Sequence, residues 1–204
     1  PGTDIAGTVE AVGANVTQLQ PGDEVFGWCG GAFAEYARAG GGDLVPKPAD
    51  LSVEGAAALG VSAQVALQAL RDYGNVRSGQ TVLVNGASGG VGTFAVQIAK
   101  ALRAEVTGVC STRNLEMVRL IGADHVIDYT AEDFTRGEQR YDLILDNVGT
   151  LPLSETRRVL SADGTLLSNG APVGGWTRPL GRILRVLVSS WFVRQQCRPI
   201  VLAY

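Results

Sequence analysis

The sequence predicts an α/β fold, a doubly wound parallel sheet with crossover helices preceded by part of an all-β domain. Three observations carry this. Residues 51–168 alternate apolar, β-branched runs with segments of helical apolar period, and that alternation implies parallel strands joined by helices. The runs Val82-Leu83-Val84 and Leu143-Ile144-Leu145 are apolar without interruption, as strands buried on both faces must be. Residues 1–48, by contrast, are short runs punctuated by glycine and proline, with no helical period.

The elements follow in order. In the first part, strands are expected at Thr8–Val12, Glu24–Phe26, Ala34–Ala37 and Leu44–Pro46, with Pro21-Gly22-Asp23 as a turn. This piece is too small to hold a core alone. At Leu51 the character changes: Ser52 is a candidate N-cap, and Ala56–Leu70 carries apolar residues at helical spacing. Then come strand Thr81–Asn85, helix Val91–Leu102, strand Glu105–Cys110, helix Asn114–Ile121 and strand His125–Ile127. Strand Leu143–Asp146, helix Leu153–Leu160 and strand Thr165–Ser168 complete the pattern. The division expected is residues 1–48 as a partial β domain and 49–204 as the parallel-sheet domain, with its last strand and C-terminal end missing.

Composition bounds the function. A chain of 204 residues with 46% hydrophobic side chains can bury a sizeable core. A net charge of −3, with no basic tract before Arg178, argues against a nucleic-acid partner. Cys29, Cys110 and Cys197 are far apart and odd in number, so a reducing compartment is expected, with the cytoplasm as default. No apolar run is long enough to span a bilayer, and no membrane contact is expected. Residue 1 is a proline inside what reads as a working segment, so the chain is read as a piece lacking both ends.

The most informative stretch is Asn85-Gly86-Ala87-Ser88-Gly89-Gly90-Val91-Gly92. It joins a strand to a helix start through a glycine-rich turn, the context of a dinucleotide fingerprint in a Rossmann sheet. Glycines let the backbone approach a pyrophosphate, and unpaired N–H groups of the helix start point at its charge. The match is imperfect: Ala87-x-Gly89-x-x-Gly92 replaces G-x-G-x-x-G.

About 20 residues on, an acidic residue would select a free ribose 2′-hydroxyl. Here the second strand ends Cys110-Ser111-Thr112-Arg113, without Asp or Glu. A carboxylate would oppose a 2′-phosphate by about 4 kcal/mol near a surface. Its absence, with Arg113 able to pair with a phosphate, points to NADPH.

These residues together resemble the medium-chain dehydrogenase/reductase superfamily, in its zinc-free quinone oxidoreductase branch. The resemblance rests on residues 1–13, Pro21–Gly27, Ala32–Tyr36, Asn85–Gly92 and Gly122–Tyr129, ordered and spaced as in that family. It implies a GroES-like β domain before the Rossmann domain, an active site in the cleft between them, and hydride transfer from NADPH to a quinone, an enone or a related activated carbonyl compound. It also implies cofactor contacts at Ala87, Ser88, Gly89, Gly90, Val91 and Gly92, at Ser111, Arg113 and Tyr129, and beside the nicotinamide at Asn147, Val148 and Gly149 and at Asn169, Gly170 and Ala171. Dimers are common in that family, so a homodimer is one option for the whole protein, its oligomeric state staying open.

The departures are specific. Zinc-dependent members carry Gly-His-Glu where this chain has Gly2-Thr3-Asp4, and no cysteine cluster could hold a structural zinc, so no metal is expected. Val65 stands where the family usually has a threonine near the nicotinamide. The single histidine, His125, is read as structural at the start of a buried strand. No Ser-Tyr-Lys or Ser-His-Asp set is evident, so no catalytic acid is named; Asp4 and Tyr36 are candidates, with a structural role favoured. A different class of function, a nucleotide-binding interaction protein without turnover, is the alternative. Arg178, Arg182 and Arg185 would edge a helix over 179–193, read as packed on its own domain in preference to a lipid surface.

Overall fold

The computed structural model describes residues 1–169 and 195–200. The expected helix over 179–193 and the site positions Gly170 and Ala171 lie outside the described residues. The chain divides into two compact units, Pro1–Gln64 and Val65–Tyr204.

In the first unit, β1 (Asp4–Thr8), β2 (Glu24–Trp28) and β3 (Leu44–Pro46) form an antiparallel sheet in the order β1-β2-β3. β1 begins and ends earlier than the expected Thr8–Val12 because its partner sets it: Asp4 pairs with Trp28 and Thr8 with Glu24. Beyond Thr8 the partner strand has turned away at Pro21-Gly22-Asp23, where Gly22 takes φ +95° and donates to the Val9 carbonyl. Ala34–Ala37 is not a strand. No strand among the described residues runs beside it, Ala34 N–H bonds back to Ala32, and Phe33 and Tyr36 are left exposed.

Ser52 caps α1 (Val53–Leu59), accepting from the Gly55 N–H at 3.0 Å. The single helix expected over 56–70 is broken after α1. The Val61 N–H donates to Asp4 Oδ1, and Gly60 lies so close to Asp4 and the Gly27 carbonyl that a Cβ there would be 2.5 and 2.6 Å from them. α2 (Ser62–Leu67) then continues into a π-helical turn over Gln68–Tyr73.

The second unit is built on six parallel strands in the order β6-β5-β4-β7-β8-β9. They are β4 (Thr81–Asn85), β5 (Glu105–Cys110), β6 (His125–Asp128), β7 (Tyr141–Asp146), β8 (Leu160–Ser168) and β9 (Gln196–Pro199). The sixth strand, expected to be missing, is therefore present; four residues after a long connection carry no period of their own, and pairing with Thr165–Ser168 defines them. β8 also starts earlier than Thr165, because Leu160 already pairs with Tyr141 before an irregularity in the ladder. The helices are α3 (Gly90–Ala101), α4 (Leu115–Leu120) and the short α5 (Leu153–Thr156).

Alternation along the central strands separates two apolar layers. Val82, Val84, Leu143 and Leu145 pack with Ala95, Val96 and Ala99 of α3 on one face. Leu83, Ile144 and Leu166 pack with Phe134 and Val159 on the other. All six residues of the two expected apolar runs are at most 1% exposed. His125 corrects the sequence expectation: it opens an edge strand, is exposed, and pairs with Glu105 at 3.0 Å. The contact crosses from β6 to β5.

Leu83, fully buried, and Leu120, 79% exposed, give opposite expectations. Leu83→Ala should lower the unfolding free energy by about 3 kcal/mol in urea titrations, whereas Leu120→Ala should stay within about 0.5 kcal/mol.

Candidate cofactor site

Strand order reverses at β4, which has β5 on one side and β7 on the other. The loops leaving the carboxyl ends of β4 and β7 therefore diverge, opening the crevice in which such sheets bind ligands. The glycine turn follows β4. Gly86 takes φ +79°, a left-handed conformation that disfavours other residues, and a Cβ there would lie 2.9 Å from Val148 Cγ2. The N–H groups of Gly86 and Ala87 both donate to the Val109 carbonyl, at 3.1 and 2.9 Å, pinning the turn to β5.

This geometry accounts for Ala87. The left-handed turn is made by Gly86, so Ala87 needs no unusual φ; its methyl is fully buried opposite Gly108, where an added Cβ would be 3.1 Å away. Gly92 sits beneath the turn, where a Cβ would strike the Gly86 carbonyl oxygen. Ala87 and Gly92 thus act as spacers, while Gly89 and Gly90 are exposed and Ser88 and Val91 half-buried. Gly89 caps α3 with no side-chain bond, leaving the first-turn N–H groups without side-chain acceptors from that position. The Ser88–Val91 backbone could hold a pyrophosphate there.

At the end of β5, Ser111 leads into a 3₁₀ turn, Thr112–Asn114. Asn114 Nδ2 donates to Ser88 Oγ at 3.0 Å and Ser111 Oγ at 3.3 Å, joining the glycine turn to the β5 loop. Arg113 is exposed and makes no ion pair among the described residues. Tyr129 is 62% exposed, and its N–H donates to the Cys110 carbonyl at 3.1 Å.

One carboxylate escaped the sequence reading. Asp128 ends β6 in register with Cys110, so an acid does stand beside the end of the second strand, supplied by its neighbour. It accepts from Thr112 Oγ1 at 2.6 Å and from the Thr130 hydroxyl and N–H at 2.7 and 2.9 Å. The Thr112 hydroxyl above all, then Thr130, holds its pKa below the usual carboxylate value. The Asp-Tyr-Thr sequence, an Asx-turn pattern, was the available signal.

At the end of β7 lies a second polar group absent from the sequence reading. Asp146 and Asn85 are buried at 2% and 7% exposure. Asp146 Oδ1 accepts from Asn85 Nδ2 at 2.9 Å and from the N–H groups of Val148 and Gly149 at 3.1 and 2.9 Å. Gly149 has φ +73°. Asn147 donates from both its nitrogens to the Asn85 carbonyl, each at 3.2 Å, and its Oδ1 accepts from Asn169 Nδ2 at 3.2 Å. The structure thus brings together the turn after β4 and the loops after β5, β6, β7 and β8.

The other expected positions have their own surroundings. Asp4 accepts from the Val61 N–H and the Thr3 hydroxyl. Tyr36 is 76% exposed, and Val65 is buried. The three cysteines are free. Among the described residues, no three His, Cys, Asp or Glu side chains are grouped as a metal site requires. No single helix among them is long and apolar enough to cross a membrane.

Residues 1–49 match the alcohol dehydrogenase GroES-like domain, and residues 90–199 match the family described as zinc-binding dehydrogenase. The chain belongs to the medium-chain dehydrogenase/reductase superfamily, and quinone oxidoreductases are among the proteins it is similar to. It is 42% identical over 159 residues to the mouse mitochondrial NAD(P)H oxidoreductase RTN4IP1, covering 72% of this chain and 40% of that protein. It is 35% identical over 197 residues to the Arabidopsis thaliana chloroplast envelope quinone oxidoreductase homolog, covering 90% and 60%. The quinone oxidoreductase structure from Coxiella burnetii superposes with a TM-score of 0.85 at 29% identity, over all of this chain and 63% of that one. The chain thus spans 40% to 60% of the length of these two curated relatives.

Because the folded-state pKa of Asp128 is depressed, its contribution to stability is complete above the unfolded value of about 3.9 and is lost as pH falls through the folded one. Asp128→Asn should therefore be less stable than wild type at neutral pH, and the two should converge in unfolding titrations taken down below that window.

Proposed function

We propose that the protein is an NADPH-dependent oxidoreductase that delivers hydride to a quinone, an enone or a related activated carbonyl compound without zinc. The observation that carries this is the turn in which Gly86 and Gly92 leave no room for side chains beneath a helix start that lacks a side-chain cap. A phosphate-bearing ligand fits such a cradle, since backbone N–H groups and the helix dipole both favour negative charge.

When bound, NADPH supplies the hydride. The chain's own residues bind and orient. Ser88, Gly89, Gly90 and Val91 would hold the pyrophosphate, Ser111, Arg113 and Tyr129 the 2′-phosphate, and the Asn147–Gly149 loop the nicotinamide end. An acid and a base stand at the ends of neighbouring strands, Asp128 at the end of β6 and Arg113 in the turn after β5. Arg113 has no ion-pair partner among the described residues and is the group that would pair with a 2′-phosphate, while the Asp128 carboxylate, its oxygens accepting from Thr112 and Thr130, weighs against one. Thr3 stands at the position where zinc-dependent members carry histidine, and on this reading hydrogen bonds polarise the carbonyl in place of a metal. The three free thiols fit a reducing compartment, and the organellar names of the relatives weigh against the cytoplasmic default.

Titration by nicotinamide fluorescence should show tighter binding of NADPH than of NADH, and Arg113→Glu should weaken NADPH roughly ten-fold while leaving NADH little changed. Equal affinities that Arg113→Glu does not alter would overturn the cofactor assignment. Sustained reduction of a quinone panel is the test of turnover.

A further inference from the structure

The register between β4 and β7 is apolar until its last pair. Val82, Leu83 and Val84 run beside Leu143, Ile144 and Leu145, and then Asn85 faces Asp146. Sealing the end of a sheet does not require polar groups, since burying a carboxylate costs more than burying an apolar side chain of similar size. The polar pair therefore answers to what lies beyond the strand ends.

What lies there is the loop Asn147–Gly149. One oxygen of Asp146 accepts the Val148 and Gly149 N–H groups in succession and is itself braced by Asn85 Nδ2. Val148, thus held, is 39% exposed and lies against Gly86, so the loop after β7 and the glycine turn after β4 are set with respect to each other. The Asn147 N–H and side-chain amide both return to the Asn85 carbonyl. A buried carboxylate with several donors of fixed direction has one low-energy arrangement, and the loop inherits it.

Resting on the cofactor reading above, we infer that Asp146, braced by Asn85, is a positioning residue for the nicotinamide end of the cofactor. It acts through the Val148–Gly149 backbone and leaves the adenosine-phosphate end, held by Arg113 and its neighbours, untouched. Loosening it separates the two ends of one ligand.

The test compares two probes on the full chain: NADPH, and adenosine 2′,5′-bisphosphate, which carries the phosphorylated adenosine alone. Asp146→Ala should weaken NADPH about ten-fold and leave the bisphosphate within two-fold of wild type. Asp146→Asn, which keeps an acceptor oxygen, should recover most of the NADPH affinity. Should Asp146→Ala fail to melt cooperatively, Asn147→Ala, which cuts the loop's second tie to Asn85 without touching the buried carboxylate, should show the same split between probes. Parallel loss of both probes would mean a merely structural role and overturn the inference, as would no change in either. If wild type binds the bisphosphate but NADPH no more tightly, the positioning role fails while the phosphate site stands. Wild type binding neither probe would overturn the cofactor reading and this inference with it.

Discussion

The pairing of β4 with β5 on one side and β7 on the other is the constraint on which the rest of the second unit depends. Parallel strands are joined by crossovers, so reversing the strand order at β4 sends successive connections to opposite faces. The two apolar layers follow directly, with alternate residues of the same strand feeding each one. So does the crevice at the carboxyl ends. Each strand that contributes to the cluster of loops is delivered there by the same register that packs its interior.

Chemistry changes abruptly at that edge. Below it, the central strands are sealed by valine, leucine and isoleucine at near-zero exposure. At it stand Asn85 with Asp146, Thr112 with Asp128, and Asn114 with Ser88, each pair joined by a hydrogen bond between residues at or beyond the ends of different strands. These bonds do not add much net stability each, since they replace bonds to water. Their effect is on geometry: a turn, two strand-end loops and a helix start are held in one arrangement by directional contacts.

Much of this was legible beforehand because it is local. Alternating periods located most of the strands and helices of the second unit, Ser52 announced its own helix, and the spacing of small residues marked the turn after β4. The failures share one cause. The helix break at Gly60 comes from Asp4, far back in sequence, taking the Val61 N–H. Ala34–Ala37 has strand-like residues but no pairing strand among those described, and Gln196–Pro199 is a strand only because Thr165–Ser168 lies beside it. Asp128 was overlooked at the end of the second strand because its place there depends on a ladder between β5 and β6, not on distance along the chain.

The sequence by itself determined the class of fold, the glycine-rich turn after β4 and the family, since periodicity, glycine spacing and ordered motifs are properties of neighbours along the chain. Only the tertiary structure decided how Ala87 substitutes for a glycine, through room left by Gly108 on an adjacent strand. It also decided that a buried Asp146 governs the loop after β7 and that an acid stands beside Ser111. Those facts depend on contacts between strands whose residues are distant in sequence, and strand register alone brings them within hydrogen-bond reach.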